Sequence, residues 1–436
     1  MADKSHAPHR QRGKNLGVME LIAIALGGMV GGGIFTILGL SVAMIGPYTP
    51  VAILLGGGIA ALAAYSYIKL GVYYQDEGAT YSFFKRTFPQ SPFAASLIGW
   101  WVLFGYISTI ALYAYTFSSY AISGFSFADH EWIRKIVAVA VIGLFTVINV
   151  WSVKGMGKLE DLMVYTKLII LIVISFVLIN HSQSSLPVLF EQSSSVSLFS
   201  ILIVASITFV AYEGFQLVIN AVNEMEEPEK NIPKAIYAAI ALAILIYVII
   251  AIGAIVAIPF ADIIANQEFA LASGADKVLG HWGTDLVILG ALLATSSAIS
   301  GTLFGASRQM AVVASQGYLP LVLARRLRDI PVFSILAMAF LASLLVFAGS
   351  LQVILEFGSV TFLLVSVLMA FANFKIRKQT ESSTMITVLA MLGLLGGTFF
   401  ILLYEYQEQP QQLVFIAVLY ALLTLGAAWY AKARTN

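Results

Sequence analysis

Twelve long apolar segments constrain this chain more than any other feature. They run over about 17–42, 50–71, 93–123, 132–152, 160–180, 196–222, 233–260, 285–306, 331–349, 353–374, 384–404 and 411–431. A helix needs roughly 20 apolar residues to cross the hydrocarbon core. In hydrocarbon only helices or closed barrels satisfy every backbone polar group, and runs this long predict helices. The composition agrees, with 59% hydrophobic and 11% charged residues, where soluble domains carry about 25% charged residues. The expected fold is therefore an all-α integral membrane protein with twelve transmembrane helices.

The distribution of basic residues tests the count. With both ends on the inner side, 20 of 24 Lys and Arg fall in inner segments, three (Arg134, Lys135, Lys277) fall outside, and Lys167 falls within a span. A miscounted span would invert every later loop and spoil this bias. The expected placement is a cell membrane, inner or plasma, with both termini cytoplasmic. Residues 1–15 are polar and basic and lack the apolar core and cleavage site of a signal peptide.

Several function classes drop out. There is no cysteine, and none of the five histidines lies mid-span. Disulfides, thiol chemistry and His or Cys metal sites are not expected within the spans. No Gly-Lys-Ser/Thr phosphate loop occurs, and the apolar runs leave no room for a sizeable soluble domain. The net charge of +1 gives no sign of nucleic-acid binding. No span carries a paired-carboxylate, His or Cys constellation, so an enzyme is not expected. A receptor that binds without transporting stays open.

Two spans are interrupted. The first reads Gly27-Gly28-Met29-Val30-Gly31-Gly32-Gly33-Ile34-Phe35, with five glycines in seven residues. Glycine costs about 1 kcal/mol in a helix relative to alanine, so the helix is expected to open there. Close packing is the other reading, since Gly28 and Gly32 form a GxxxG pair. The sixth reads Phe209-Val210-Ala211-Tyr212-Glu213-Gly214-Phe215 and places an acid and a glycine mid-span. It reads either as a functional intramembrane carboxylate or as a Glu facing a neighbour beside a packing glycine. Interrupted segments five spans apart point to an inverted-repeat transporter with its site at the midplane. Half-helix N-termini there offer amides to an anion, and freed carbonyls accept from a cation. A zwitterion suits both. The amides of Gly31, Gly32 and Gly33 are expected to hold its carboxylate, and carbonyls near Met29, Val210 and Glu213 its ammonium, with Val30, Phe209 and Ala211 alongside.

These residues resemble a known family. Gly31-Gly32-Gly33-Ile34-Phe35 is similar to the first-helix signature of the amino acid–polyamine–organocation (APC) permeases. Residues 209–215 resemble their sixth-helix motif. Asn223 to Ile236 resembles the following loop, and Ser307-Arg308-Gln309 through Gly317-Tyr318-Leu319-Pro320 the segment after the eighth helix. The resemblance covers nearly the whole chain. It implies a LeuT-type five-plus-five inverted repeat with two further helices, alternating access and amino-acid substrates. Gly32 departs from the Ser or Ala of many members, and Gln216 from the acid that some carry.

Lys167, in Tyr165-Thr166-Lys167-Leu168-Ile169, lies about seven residues into the fifth segment. A Lys at a helix centre costs roughly 3 kcal/mol by insertion scales. It could snorkel to the surface or pair with a carboxylate such as Glu213. Alternatively it carries a proton, because burial disfavours the charged form of an amine. In the proton-coupled branch of the family a fifth-helix lysine stands where others bind sodium. That resemblance implies partners in a Gly27 carbonyl and the pair Ser296 and Ser297.

The expectation is a proton-coupled amino-acid symporter in the lipid bilayer. It has no cofactor beyond the coupling proton and is a monomer or weak oligomer. The expected parts are a tail (1–15), two five-helix repeats (16–180 and 196–374), two additional helices (384–431) and a short tail (432–436). An exchanger or a polyamine permease on the same fold remains open. Of Trp100, Trp101, Tyr106, Tyr113 and Tyr115 in the third span, some read as pocket lining, and Trp100 and Trp101 equally as interface anchors. Glu224–Lys234 reads as an inner loop with a helix from Pro233, and Tyr404 to Pro410 as an outer connection.

Overall fold

The computed structural model describes residues 16–128, 130–151, 153–192, 196–266 and 269–432. Among the described residues the regular structure is helical, with two isolated bridges, Leu16 to Met225 and Leu327 to Ile330. The first segment is a pair of helices, α1 (Val18–Met29) and α2 (Gly32–Ile45). Then come α3 (Thr49–Tyr74), the short α4 (Ala79–Thr87), α5 (Pro92–Ile122), α6 (Glu131–Trp151) and α7 (Val153–Asn180). After a short α8 (Leu186–Gln192), the sixth segment is α9 (Leu198–Thr208), a 3-10 turn (Phe209–Tyr212) and α10 (Leu217–Asn220). The rest are α11 (Pro228–Ala257), α12 (Phe260–Ala265), α13 (Ala270–Ser315), α14 (Val332–Ala348), α15 (Leu351–Lys375), α16 (Thr384–Glu408) and α17 (Pro410–Lys432). Ten stretches are long and apolar enough to cross a membrane, and the shorter Val18–Met29 and Val332–Ala348 complete the twelve predicted segments.

The two interrupted segments occupy the middle. They pack on α3, α5, α7, α11, α13 and α15. The apolar window of α15 is 83% buried, that of α17 only 17%. Phe340, Leu392, Phe399, Leu422, Leu425 and Trp429 point outward from α14, α16 and α17. A continuous apolar exterior of this kind suits lipid, because soluble monomers rarely expose apolar patches beyond a few hundred Å².

Several element ends differ from the sequence reading. Helix α7 starts at Val153, so Lys167 lies halfway along a 28-residue helix rather than near its start. Helix α11 starts at Pro228, not Pro233. Pro228 takes the favoured first-turn position, and Pro233 sits inside the helix. Helix α13 continues to Ser315, which puts Arg308 inside the bundle rather than in a loop. There it is 3% exposed, with its guanidinium 3.3 Å from the Phe304 ring centre. Helix α16 continues to Glu408, so Glu405 is fully buried and the expected outer connection shrinks to the turn at Gln409. Lys154, Lys158 and Lys277 have side chains outside the described set.

Polar contacts join the loops on the face that carries Leu16. Leu16 N–H donates to the Glu224 carbonyl (3.1 Å), and Glu226 N–H to the Leu16 carbonyl (3.0 Å). Arg326 pairs with Glu77 at 2.8 Å. Asn220 donates to the Glu77 carbonyl and Asn223 to its carboxylate, at 2.8 and 3.1 Å. These bonds tie the start of α1, the end of the sixth segment and the loops after α3 and α13 into one closed face.

The fold predicts opposite accessibilities for two exposed sites. Glu381 is on the Leu16 face and Gln411 at the other end of α17. Single cysteines there, in a chain without cysteine, should react with a membrane-impermeant maleimide from opposite sides of sealed vesicles. Labelling of both from one side would refute the helix count.

Candidate functional site

The first break is short. Helix α1 ends at Met29. Val30 (φ −81°, ψ 73°) and Gly31 (φ −120°, ψ −147°) leave the helical region, and α2 starts at Gly32. Val30 N–H still reaches the Leu26 carbonyl, and Gly31 N–H turns back to the Met29 carbonyl, each at 2.9 Å. The Gly31 amide is thus spoken for. The Gly32 and Gly33 amides open the first turn of α2, where an N–H has no acceptor within its own helix.

The second break is longer. After the 3-10 turn of Phe209, Val210, Ala211 and Tyr212, Glu213 is extended (φ −68°, ψ 136°) and Gly214 takes φ +130°. A side chain is strained at that φ. A Cβ on Gly214 would also lie 2.6 Å from both the Gly28 carbonyl carbon and the Met29 nitrogen. One on Gly33 would lie 3.1 Å from the Ala211 Cα. The two interruptions therefore touch, backbone against backbone.

Tyrosines bind the breaks together. The Tyr247 hydroxyl lies 2.6 Å from the Met29 carbonyl and 3.0 Å from the Ala211 carbonyl, one on each interrupted segment. Tyr113 donates to the Gly28 carbonyl at 2.8 Å. Neither role was legible in the sequence. Tyr247 sits in a span apolar on all sides around it, and Tyr113 was one of five aromatic residues singled out among the nine of α5. Of the other four, Trp100 donates to the Tyr318 carbonyl at 2.9 Å, Trp101 packs on Tyr420, and Tyr106 packs on Phe362. Tyr115 lines a small cavity.

The glycine triplet also packs closely. A Cβ would come within 2.5 Å of the Ala298 Cβ at Gly31, and within 2.7 Å of the Thr116 Oγ1 at Gly32. Opening and close packing thus coexist.

Lys167 is fully buried, which ends the snorkelling reading. Its ammonium donates to the carbonyls of Val30 (2.6 Å), Leu26 (3.2 Å) and Gly27 (3.4 Å). It also donates to the Ser297 hydroxyl at 2.6 Å. These carbonyls belong to the last turn of α1, where the helix dipole presents partial negative charge. Val30, expected at the substrate, is the shortest carbonyl contact of the lysine. Ser297 meets the ammonium and its neighbour Ser296 does not share that direction, since adjacent helical residues point about 100° apart. Glu213 pairs with the Gln216 side-chain amide rather than with the lysine.

Glu213 is buried beside both breaks. Its Oε1 and the Tyr106 hydroxyl have no hydrogen-bond partner among the described residues. Such orphans cost about 1–3 kcal/mol each, so this is a place where a polar ligand would be stabilised. No group of three or more His, Cys, Asp or Glu that could hold a metal occurs among the described residues.

The profile of the amino acid permease family matches residues 16–432. The chain belongs to the amino acid permease family. It is similar to an uncharacterised protein of Methanocaldococcus jannaschii, with 27% identity over 412 residues, 94% of this chain and 93% of the other. It is 29% identical over 383 residues to the inner membrane transport protein YbaT of Escherichia coli, covering 88% of each. It is 25% identical over 328 residues to the chloroplastic cationic amino acid transporter 7 of Arabidopsis thaliana, covering 70% of this chain and 55% of that protein. This permease is thus a multi-pass membrane transporter and not an enzyme.

Gly214→Ala tests the contact between the breaks. Backbone strain and overlap together should cost about 3 kcal/mol or more. The expected readout is a lower unfolding temperature in detergent and loss of transport, while Gly143→Ala, at an open position, leaves both near wild type.

Proposed function

We propose that this permease imports amino acids by alternating access, driven by protons, across an inner or plasma membrane with its tails in the cytoplasm. The observation that supports it best is the Lys167 ammonium seated on the end carbonyls of α1, beside two touching helix breaks. A fixed cation there does what a bound cation would do, holding the α1 terminus to α7 and α13. Loss of its proton removes the charge from that contact and frees α1 to tilt, which couples proton release to opening of the Leu16 face.

The substrate roles follow from the polar groups. The amides of Gly32 and Gly33 suit a carboxylate. The unpartnered Glu213 Oε1 and Tyr106 hydroxyl suit an ammonium, more so than the Met29 and Ala211 carbonyls, which already accept from Tyr247. An amino acid presents both groups at short separation. The name of the Arabidopsis relative, a cationic amino acid transporter, favours the same class. On this reading residues 16–180 and 196–374 are the two repeats and 384–431 the added helices. A polyamine would call for more carboxylates than Glu213 supplies beside the breaks.

The test is uptake by proteoliposomes. With a proton gradient, inside alkaline, the wild type should accumulate amino acids, and an imposed sodium gradient should not replace it. Lys167→Ala should still bind substrate yet reach no more than equilibrium. A mutant that concentrates substrate as the wild type does would refute the coupling role.

A further inference from the structure

Glu356 on α15 and Glu405 on α16 are both fully buried. Their carboxyl groups lie within hydrogen-bond reach of each other. Gln352, one turn before Glu356, donates its side-chain amide to Glu356 Oε1 at 2.8 Å. Glu356 Oε2 and both Glu405 oxygens have no partner among the described residues.

Among the described residues no ion pair to Glu356 or Glu405 is present. Helices α9 and α16 contain no Lys or Arg, nor do α2 and α5. Lys375 ends α15 nineteen residues away, about 28 Å along the axis, and Lys69 donates to the Glu381 carbonyl near the Leu16 face. Among the described residues on this side, Tyr404 and Glu408 of α16, Tyr115 of α5, Tyr420 of α17 and Tyr212 of the 3-10 turn are not cationic, and the cations of α6 are engaged elsewhere: Arg134 stacks on the Tyr115 ring at 5.8 Å and donates to the Ala128 carbonyl, and Lys135 pairs with Glu131 and donates to the Phe347 carbonyl. Two ionised carboxylates would both be acceptors, facing each other at low dielectric without a donor between them. Such a pair cannot keep both charges.

Gln352 also links the pair to a way in. With Thr36, Leu40, Tyr115, Ser350, Leu351 and Leu355 it lines a cavity of about 250 Å³ at the start of α15, on the side opposite Leu16. One side chain separates that cavity from Glu356.

We propose that Glu356 and Glu405 form a proton-binding site, separate from Lys167, that exchanges with the side opposite Leu16 through the Gln352 cavity. A single proton turns the two facing acceptors into one O–H···O bond and halves the charge. A second makes the pair neutral. Larger cations fit poorly, because calcium takes six to eight oxygens and magnesium six in near-octahedral array, and the pair offers three free ones. The bound proton also joins α15, which walls the transport core, to α16 at the periphery.

The test is infrared spectroscopy of the full-length permease in lipid vesicles near neutral pH. The wild type should show the carbonyl stretch of a protonated, buried carboxylic acid, sensitive to exchange into D₂O. The band should disappear in Glu356→Gln/Glu405→Gln and persist in Lys167→Ala, while Glu213 contributes equally throughout and cancels in the difference spectra. Glu405→Gln alone, which can still hydrogen-bond Glu356, should shift the band, and so keeps the test open where the double variant does not fold. Difference spectra against both variants without a carboxylic-acid band would overturn the proposal. So would a carboxylate signal that responds to calcium or sodium rather than to pH.

Discussion

The contact of Gly214 with Gly28 and Met29 is the constraint on which the rest of the centre depends. A helix that opens in a bilayer leaves amides and carbonyls that lipid cannot satisfy. Here each opened segment is the other's nearest neighbour, and the freed groups turn to side chains from surrounding helices. Tyr247 takes one carbonyl from each break, Tyr113 takes Gly28, and Lys167 takes the end of α1. The remaining polar capacity, the first-turn amides of α2 and the Glu213 carboxylate, is concentrated in one small region. A pocket for a charged solute thus arises from the same local geometry that makes the helices discontinuous.

The surrounding architecture keeps that region fixed. Helices α3, α5, α7, α11, α13 and α15 wrap the interrupted pair, while α16 and α17 face outward over most of their length. On the Leu16 face the Glu77–Arg326 pair and the short pairing of Leu16 with Glu224 and Glu226 close the bundle. Opening to that side requires these contacts to part, together with the hold of Lys167 on α1. Partly exposed ion pairs are individually weak, which suits contacts that must break in every cycle.

The broken helices were legible because glycine acts locally. Five glycines in seven residues, and a Glu-Gly pair mid-span, disfavour a helix whatever surrounds them. The twelve segments were legible because hydrocarbon selects on composition. Helix ends were less so: apolar stretches fade gradually into loops, Pro228 and Pro233 offer the same first-turn signal, and Ser315 and Glu408 carry no mark that separates a last helical turn from a connection. The choice of Ser297 over Ser296, and the parts played by Tyr113 and Tyr247, depend on which way each helix faces. In a span apolar all round, no periodicity records that direction. Glu405 was read as a loop residue because the end of α16 was placed too early, and only the packing of α16 on α15 brings it against Glu356.

The close fit at Gly32 has an evolutionary consequence. A methyl group there would sit 2.7 Å from the Thr116 hydroxyl, which itself bonds Thr36 on the next turn of α2 at 3.0 Å. A lineage exchanging this glycine for serine or alanine must first trim or displace residue 116. The two positions should therefore covary across an alignment, and the order in which they change should be one-way.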